Sequence, residues 1–178
     1  MRRLFVDMDG VLAEFGKVNS EEELYAEGYF LNRPPIQNVV EAVDYLNAFD
    51  ADIEVFILSA YLTESKYALK EKNDWLNKYL PSINQAHRIF IPCKSGLDKK
   101  KYIPGGVKPT DYLLDDYTNN LVLWEPPAKG VKLINGINDT RGTWKGHRVS
   151  SGQDKISIVK ILHTLITEEI HDGFDFTM

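Results

Sequence analysis

The sequence predicts an α/β fold: a mostly parallel, Rossmann-like sheet with helices on both faces and a small helical cap inserted after the first strand. Three observations carry this. Five short apolar runs, at 4–6, 53–58, 88–91, 112–114 and 131–134, are too short for helices and are continuous rather than alternating. Continuous runs mark strands buried on both faces, the habit of parallel sheets. Between them lie segments with helical periodicity, and strands alternating with helices build a parallel sheet covered on both sides. Finally, the first, second and fourth runs stop abruptly in polar residues that serve no core: Asp7 and Asp9, then Ser59, then Asp115 and Asp116. Open α/β sheets bind ligands at the carboxyl ends of their strands.

The elements follow in order. Residues 4–6 emerge into Asp7-Met-Asp-Gly10. If the chain stays extended, Asp7 and Asp9 share a side, and Gly10 permits a tight turn. Two carboxylates ~4 Å apart repel by roughly 4 kcal/mol at an effective dielectric of about 20, which a proton or a cation relieves. All-oxygen ligands favour a hard cation, Mg²⁺ by default. Residues 14–35 form the small cap insertion, rich in aromatics (Phe15, Tyr25, Tyr29, Phe30), and Ser20 to Glu23 has the pattern of a helix start. The core domain comprises 1–13 and 36–178. Val39, Val40, Ala42, Val43 and Leu46 mark a helical face reaching about Phe49. After 53–58, Thr63 is a candidate cap for a helix bearing Leu69, Leu76 and Leu80, stopped by Pro81. The third strand precedes a lysine-rich segment with Lys94, Lys99, Lys100 and Lys101. One or two helical turns span 119–124. Residues 135–152 read as irregular, with a candidate edge hairpin of Thr143, Trp144 and Val149. A last amphipathic helix carries Ile156, Val159, Leu162, Leu165, Ile166 and Ile170 and ends at Gly173.

Composition narrows the function. At 178 residues one compact domain is expected, large enough to dispense with disulfide or zinc staples. The single cysteine, Cys93, excludes an internal disulfide and a multi-cysteine zinc site. A net charge of −5 argues against an extended nucleic-acid surface. No apolar run approaches the ~20 residues of a membrane span, so the expected address is the cytoplasm.

In a parallel sheet the polar strand ends share one edge. That edge gathers an acid pair, a hydroxyl, a lysine and a second acid pair, which is equipment for phosphoryl transfer, a reaction governed by positioning and charge neutralisation. Each motif alone has a plain structural explanation: a turn, a helix cap, a solvated lysine face or a strand terminus. Their conjunction in this order does not.

With these residues in place the chain resembles the haloacid dehalogenase superfamily of Mg²⁺-dependent phosphohydrolases. Asp7-Met-Asp-Gly-Val11 is similar to its first motif, Ser59 after Ile-Leu to the second, a lysine to the third and Asp115-Asp116 to the fourth, across residues 4–135. Phe5-Val-Asp-Met-Asp-Gly-Val11, Leu113-Leu-Asp-Asp-Tyr-Thr-Asn-Asn-Leu121 and Gly130-Val-Lys-Leu-Ile-Asn135 look like the 5′(3′)-deoxyribonucleotidase group. The resemblance implies that Asp7 is a nucleophile and Asp9 a general acid and base. Mg²⁺ would take Asp7, the Asp9 backbone carbonyl and Asp116, with Asp115 a ligand through water or an orienter of the lysine. Ser59 and the neighbouring Ala60 backbone would bind phosphate. Lys99, just after Asp98, fits the lysine position best; Lys94, closer to the strand end, is the alternative.

The substrate implied is a small phosphorylated molecule, a nucleoside monophosphate before others. Phe15, Tyr29, Phe30 and Tyr61 are candidates for stacking on a base, against the alternative that they pack the cap. Another small phosphomonoester or a polynucleotide 3′-phosphate are further options. A phospho-accepting receiver-type signalling domain uses similar residues, but there the lysine comes last, whereas here the second acid pair does.

Overall fold

The computed structural model describes residues 1–16, 18, 20–93, 98–138 and 143–168. Six strands form one sheet: β1 (Arg2–Val6), β2 (Ile53–Tyr61), β3 (Arg88–Pro92), β4 (Tyr112–Asp115), β5 (Lys129–Ile134) and β6 (His147–Ser150). Their order is β3-β2-β1-β4-β5-β6 and every pairing is parallel. Four helices accompany it: α1 (Gln37–Phe49), α2 (Ala68–Tyr79), α3 (Thr118–Trp124) and α4 (Lys155–Thr167). This is a Rossmann-like α/β fold.

The period of two divides the apolar runs between the faces. Leu4 and Val6 of β1 join Val55, Ile57 and Leu114 in a cluster with Val43 and Leu46 of α1, Trp75 and Leu76 of α2, and Ile158 and Leu162 of α4. Phe5 points the other way, to Leu58, Leu113, Leu121 and Trp124 of α3, and Trp144. Leu4, Phe5 and Val6 are wholly buried, as a central strand covered on both faces requires.

Several element boundaries differ from expectation for identifiable reasons. The described residues of 135–152 hold no edge hairpin: β6 runs parallel to β5, and Trp144 precedes it, buried with its indole N–H donating to the His147 carbonyl at 2.9 Å. Ser65, not Thr63, serves the start of α2, its hydroxyl accepting from the N–H groups of Tyr67 and Ala68. Leu69 lies largely exposed, and the buried face of α2 is Ala68, Glu71, Lys72, Trp75 and Leu76. In α4 the buried row is Ile158, Leu162 and Ile166, whereas Ile156 faces outward; Ile170 and Gly173 lie outside the described residues. The cap's helix is one 3-10 turn, Glu22–Tyr25, preceded by Glu21 rather than Ser20 at the cap position.

The cap segment leaves and returns through a narrow neck. Ala13 bridges Pro35, the Glu14 N–H donates to the Pro34 carbonyl at 2.9 Å, and the Ile36 N–H donates to the Leu12 carbonyl at 2.7 Å. Residues 14–35 therefore stand directly beside the loop that carries Asp7 and Asp9. No helix among the described residues is long and apolar enough to cross a membrane.

Candidate metal and phosphate site

The chain reverses direction across the sheet between β1 and β4, which lie side by side although β2 and β3 intervene in sequence. Such a switch point opens a crevice at the strands' carboxyl ends. Val6 is level with Leu114 and with Ile57, so the next residues along, Asp7, Asp115 and Leu58, arrive together. The Asp7 N–H donates to the Leu114 carbonyl at 2.9 Å, which fixes Asp7 at the edge.

Three carboxylates converge there. Asp7, Asp115 and Asp116 are all buried and each offers an oxygen within 4.8 Å of the others. Lys99 reaches between them: its ammonium group lies 3.1 Å from Asp7 Oδ1 and 2.7 Å from Asp115 Oδ2, and donates to the Leu58 carbonyl at 3.2 Å. Its charged partners raise the Lys99 ammonium further above its ordinary range even against the opposing effect of burial. Asp98 caps the 3-10 turn Lys99–Tyr102 by accepting from the Lys100 N–H, which sets Lys99 in position. Lys94 lies outside the described residues.

Asp115 is fully committed: one oxygen accepts from the Tyr117 N–H at 2.8 Å, the other from Lys99 and from the Asn120 amide at 2.9 Å. It orients the lysine. Asp116 is cradled otherwise. Its Oδ2 accepts from the amides of Asn135 at 2.8 Å and Asn138 at 2.7 Å, and its backbone carbonyl accepts from the buried Lys132 ammonium. Burial, with Asp115 and Asp7 close by, pushes the Asp116 carboxyl up to about 6. Gly10 makes room for it. At φ +76°, a β-carbon on Gly10 would stand 2.3 Å from Asp116 Oδ2.

Asp9 is not part of the carboxylate cluster through its side chain, and its direct ion-pair partner differs from that of Asp7. Its Oδ2 is 2.5 Å from the Lys72 ammonium of α2. The extended geometry that would align the two acids ends at Val6, and residues 8–13 form a turn in which the N–H groups of Leu12 and Ala13 donate to the Met8 carbonyl. Burial raises the Asp9 carboxyl, and Asp7 adds to that, while Lys72 opposes it. Lys72 also donates to Ser59 Oγ at 3.1 Å and to the Ala60 carbonyl at 2.7 Å. Ser59 is wholly buried inside β2, two residues before the strand's carboxyl end and level with Phe90 of β3.

Sequence reasoning missed Lys72 and Asn138, and it met Lys132 and Asn135 only as members of a motif. Lys72 left a signal. It falls four residues after Ala68 and four before Leu76, on the apolar face of α2, and a cation there calls for a buried anion.

The aromatic candidates divide. Tyr29 and Phe30 are buried and pack edge to face with ring centres 4.9 Å apart; Phe15 meets Tyr29 at 6.3 Å. Arg33 covers the Tyr29 ring at 3.8 Å and Lys72 lies 4.9 Å from the centre of the Phe30 ring. Tyr29 and Phe30 thus pack against each other, against Arg33 of the cap and against α2. Phe15 and Tyr61 border the same cluster and stay half-exposed.

The donor set suits a hard cation. It is all oxygen, and Asp7 Oδ1 is buried without a hydrogen-bond partner, Lys99 approaching it only as an ion pair. Counted as ionised, four carboxylates face three buried ammonium groups, which leaves the site one negative charge in excess. No protein-family model matches the chain and no curated protein matches it.

Proposed function

We propose that the protein is a Mg²⁺-dependent phosphomonoester hydrolase of the haloacid dehalogenase type, working through an aspartyl-phosphate. The observation that carries this reading is the meeting of Asp7, Lys99, Asp115 and Asp116 at the switch point, with Asp9 beside them on a separate lysine. The resemblance in sequence motifs, carried by the same residues, supports it.

In this reading a carboxylate oxygen of Asp7 attacks phosphorus and the ester P–O bond breaks. The leaving oxygen takes the proton of the Asp9 carboxyl, giving alcohol, phosphorylated Asp7 and the Asp9 carboxylate. Asp9 then takes a proton from water as that water attacks phosphorus. Phosphate departs, and both aspartates return to their starting states. One difficult hydrolysis becomes two easier steps. Lys99 neutralises the phosphoryl oxygens and steadies Asp7; Asp115 holds Lys99; Ser59 Oγ and the Ala60 backbone face the phosphoryl group. A cation held by Asp7 and Asp116, with the Asp9 carbonyl as a further ligand, would supply Lewis-acid charge neutralisation.

Nucleoside monophosphates are the substrate class proposed first, because the motif resemblance points to them and Phe15 and Tyr61, packed against the cap's aromatic cluster, keep ring surface exposed. A panel of nucleoside 5′- and 3′-monophosphates, sugar phosphates and an oligonucleotide 3′-phosphate, with and without Mg²⁺, tests the assignment. Phosphate release that needs Mg²⁺ and disappears in Asp7→Asn is expected. Equal release by wild type and Asp7→Asn would refute it.

A further inference from the structure

The structure assigns Lys72 a positioning role: its ammonium group holds the Asp9 side chain in place for proton transfer, and helix α2 links that grip to the cap segment. The inference rests on the phosphohydrolase reading above and adds a residue that neither the sequence motifs nor that reading includes.

Lys72 is wholly buried, and its three partners, Asp9 Oδ2, Ser59 Oγ and the Ala60 carbonyl, match the three donors of an ammonium group. The Phe30 ring lies over the group. A cation so enclosed has no freedom to wander. Lys72 is wholly buried while the Asp9 side chain keeps a quarter of its surface exposed, and a buried ammonium loses hydration that an apolar side chain of the same volume would not have to give up. The charge therefore needs a reason beyond folding, and its place gives one. Asp7 and Asp9 are one residue apart, yet Lys99 holds the first and Lys72 the second. Separate lysines keep the nucleophile and the acid–base group from competing for one cation. When Asp9 gives its proton to the leaving oxygen, Lys72 faces the carboxylate that remains; no proton passes to or from Lys72.

The adjoining residues of α2 extend the grip. The Glu71 carboxylate accepts from the N–H groups of Gly28 at 2.6 Å and Phe30 at 3.0 Å, and the Trp75 indole donates to the Arg33 carbonyl at 2.8 Å. Within one turn, α2 thus holds the cap backbone at both ends of its aromatic stretch and holds Asp9 between.

The test compares two esters of similar shape, phenyl phosphate and dinitrophenyl phosphate, by kcat/KM, which reports the step that expels the alcohol. Phenolate is a poor leaving group that needs a proton and dinitrophenolate is not. Lys72→Met is expected to lose at least ~10²-fold on phenyl phosphate, the usual scale of a proton-transfer contribution, and only a few-fold on dinitrophenyl phosphate. Asp9→Asn should show the same pattern, and Asp9→Asn with Lys72→Met should be no worse than Asp9→Asn alone, since residues acting as a unit are not additive. Lys72→Gln, which retains a donor for Asp9, should fall between wild type and Lys72→Met, and it carries the comparison if Lys72→Met does not fold. Equal losses on both esters in the Lys72 variants, or additive losses in the double variant, would overturn the role. If Asp9→Asn shows the leaving-group pattern and the Lys72 variants do not, this inference alone fails. If wild type hydrolyses neither ester, the phosphohydrolase reading fails and this one with it.

Discussion

Asp116 shows what a metal-free version of this site should cost the protein. Its carboxyl is pushed up to about 6 by burial and by Asp115 and Asp7. A carboxyl raised above its ordinary ~3.9 binds more protons in the folded than in the unfolded chain. Stability in the presence of a chelator should therefore fall as pH rises from about 4 to about 6, by roughly 2–3 kcal/mol from this group. Asp116→Asn should remove that part of the slope, read by denaturant unfolding at a series of pH values; an unchanged slope would contradict it. Gly10 makes a second residue-scale prediction. Its left-handed backbone and the 2.3 Å approach to Asp116 Oδ2 leave no room for a methyl group. Gly10→Ala should displace the Asp116 carboxylate and weaken Mg²⁺ binding by isothermal titration at least ~10-fold, the scale seen when a ligand's support is lost. At this scale the site was partly legible. Asp7, Asp9, Ser59, Lys99, Asp115 and Asp116 each follow or flank a strand in sequence, so a strand-end argument finds them. Lys72 comes from the middle of a helix, and Asn135 and Asn138 act through local turns, where the Asn135 side chain accepts from the N–H groups of Ile137 and Asn138. Asn135 directly follows β5 and lies within reach of a strand-end argument, but strand ends give no hint of Lys72 or Asn138.

Among the elements, α2 does most to join the cap to the sheet. Glu71 is buried and satisfies cap N–H groups that nothing else in the helix reaches. Glu71→Ala should cost about 1–3 kcal/mol, the scale for leaving buried donors unsatisfied, by urea denaturation. It should also lower kcat/KM for nucleotides more than for phenyl phosphate, because the cap's aromatics lose their anchorage; equal losses would leave the cap no part in selecting substrate. Helix α1 was read correctly because its apolar positions repeat cleanly: Val39, Val40, Ala42, Val43 and Leu46 are all buried. In helix α2 the apolar pattern names the buried Leu76 and, at its end, Leu80, but also the exposed Leu69, because two of its five buried side chains are charged and leave that face unmarked. Strand β6 escaped because it has a single buried residue, Val149, between polar neighbours, and an edge strand needs no apolar run.

For the whole molecule, the strand order β3-β2-β1-β4-β5-β6 places the acid pairs together although more than a hundred residues separate them. Strand alternation made the parallel sheet legible; the order of strands was not, because it depends on which way the chain crosses after β3. If the carboxylate cluster takes Mg²⁺ as proposed, metal binding and stability are linked. Mg²⁺ at about 100 times its dissociation constant should stabilise the protein by roughly 2.7 kcal/mol, and Asp7→Asn should lose most of this gain; a gain that survives would mean the cation binds elsewhere. The most direct test of the central claim is the mass of the Asp9→Asn variant after mixing with dinitrophenyl phosphate and Mg²⁺. That ester needs no proton to leave, while the later attack by water lacks its base, so the intermediate should persist. The account predicts a gain of one phosphoryl group, located by peptide fragmentation on Asp7. Rapid release of dinitrophenol with no phosphoryl group retained on the chain, or one retained on another residue, would contradict it.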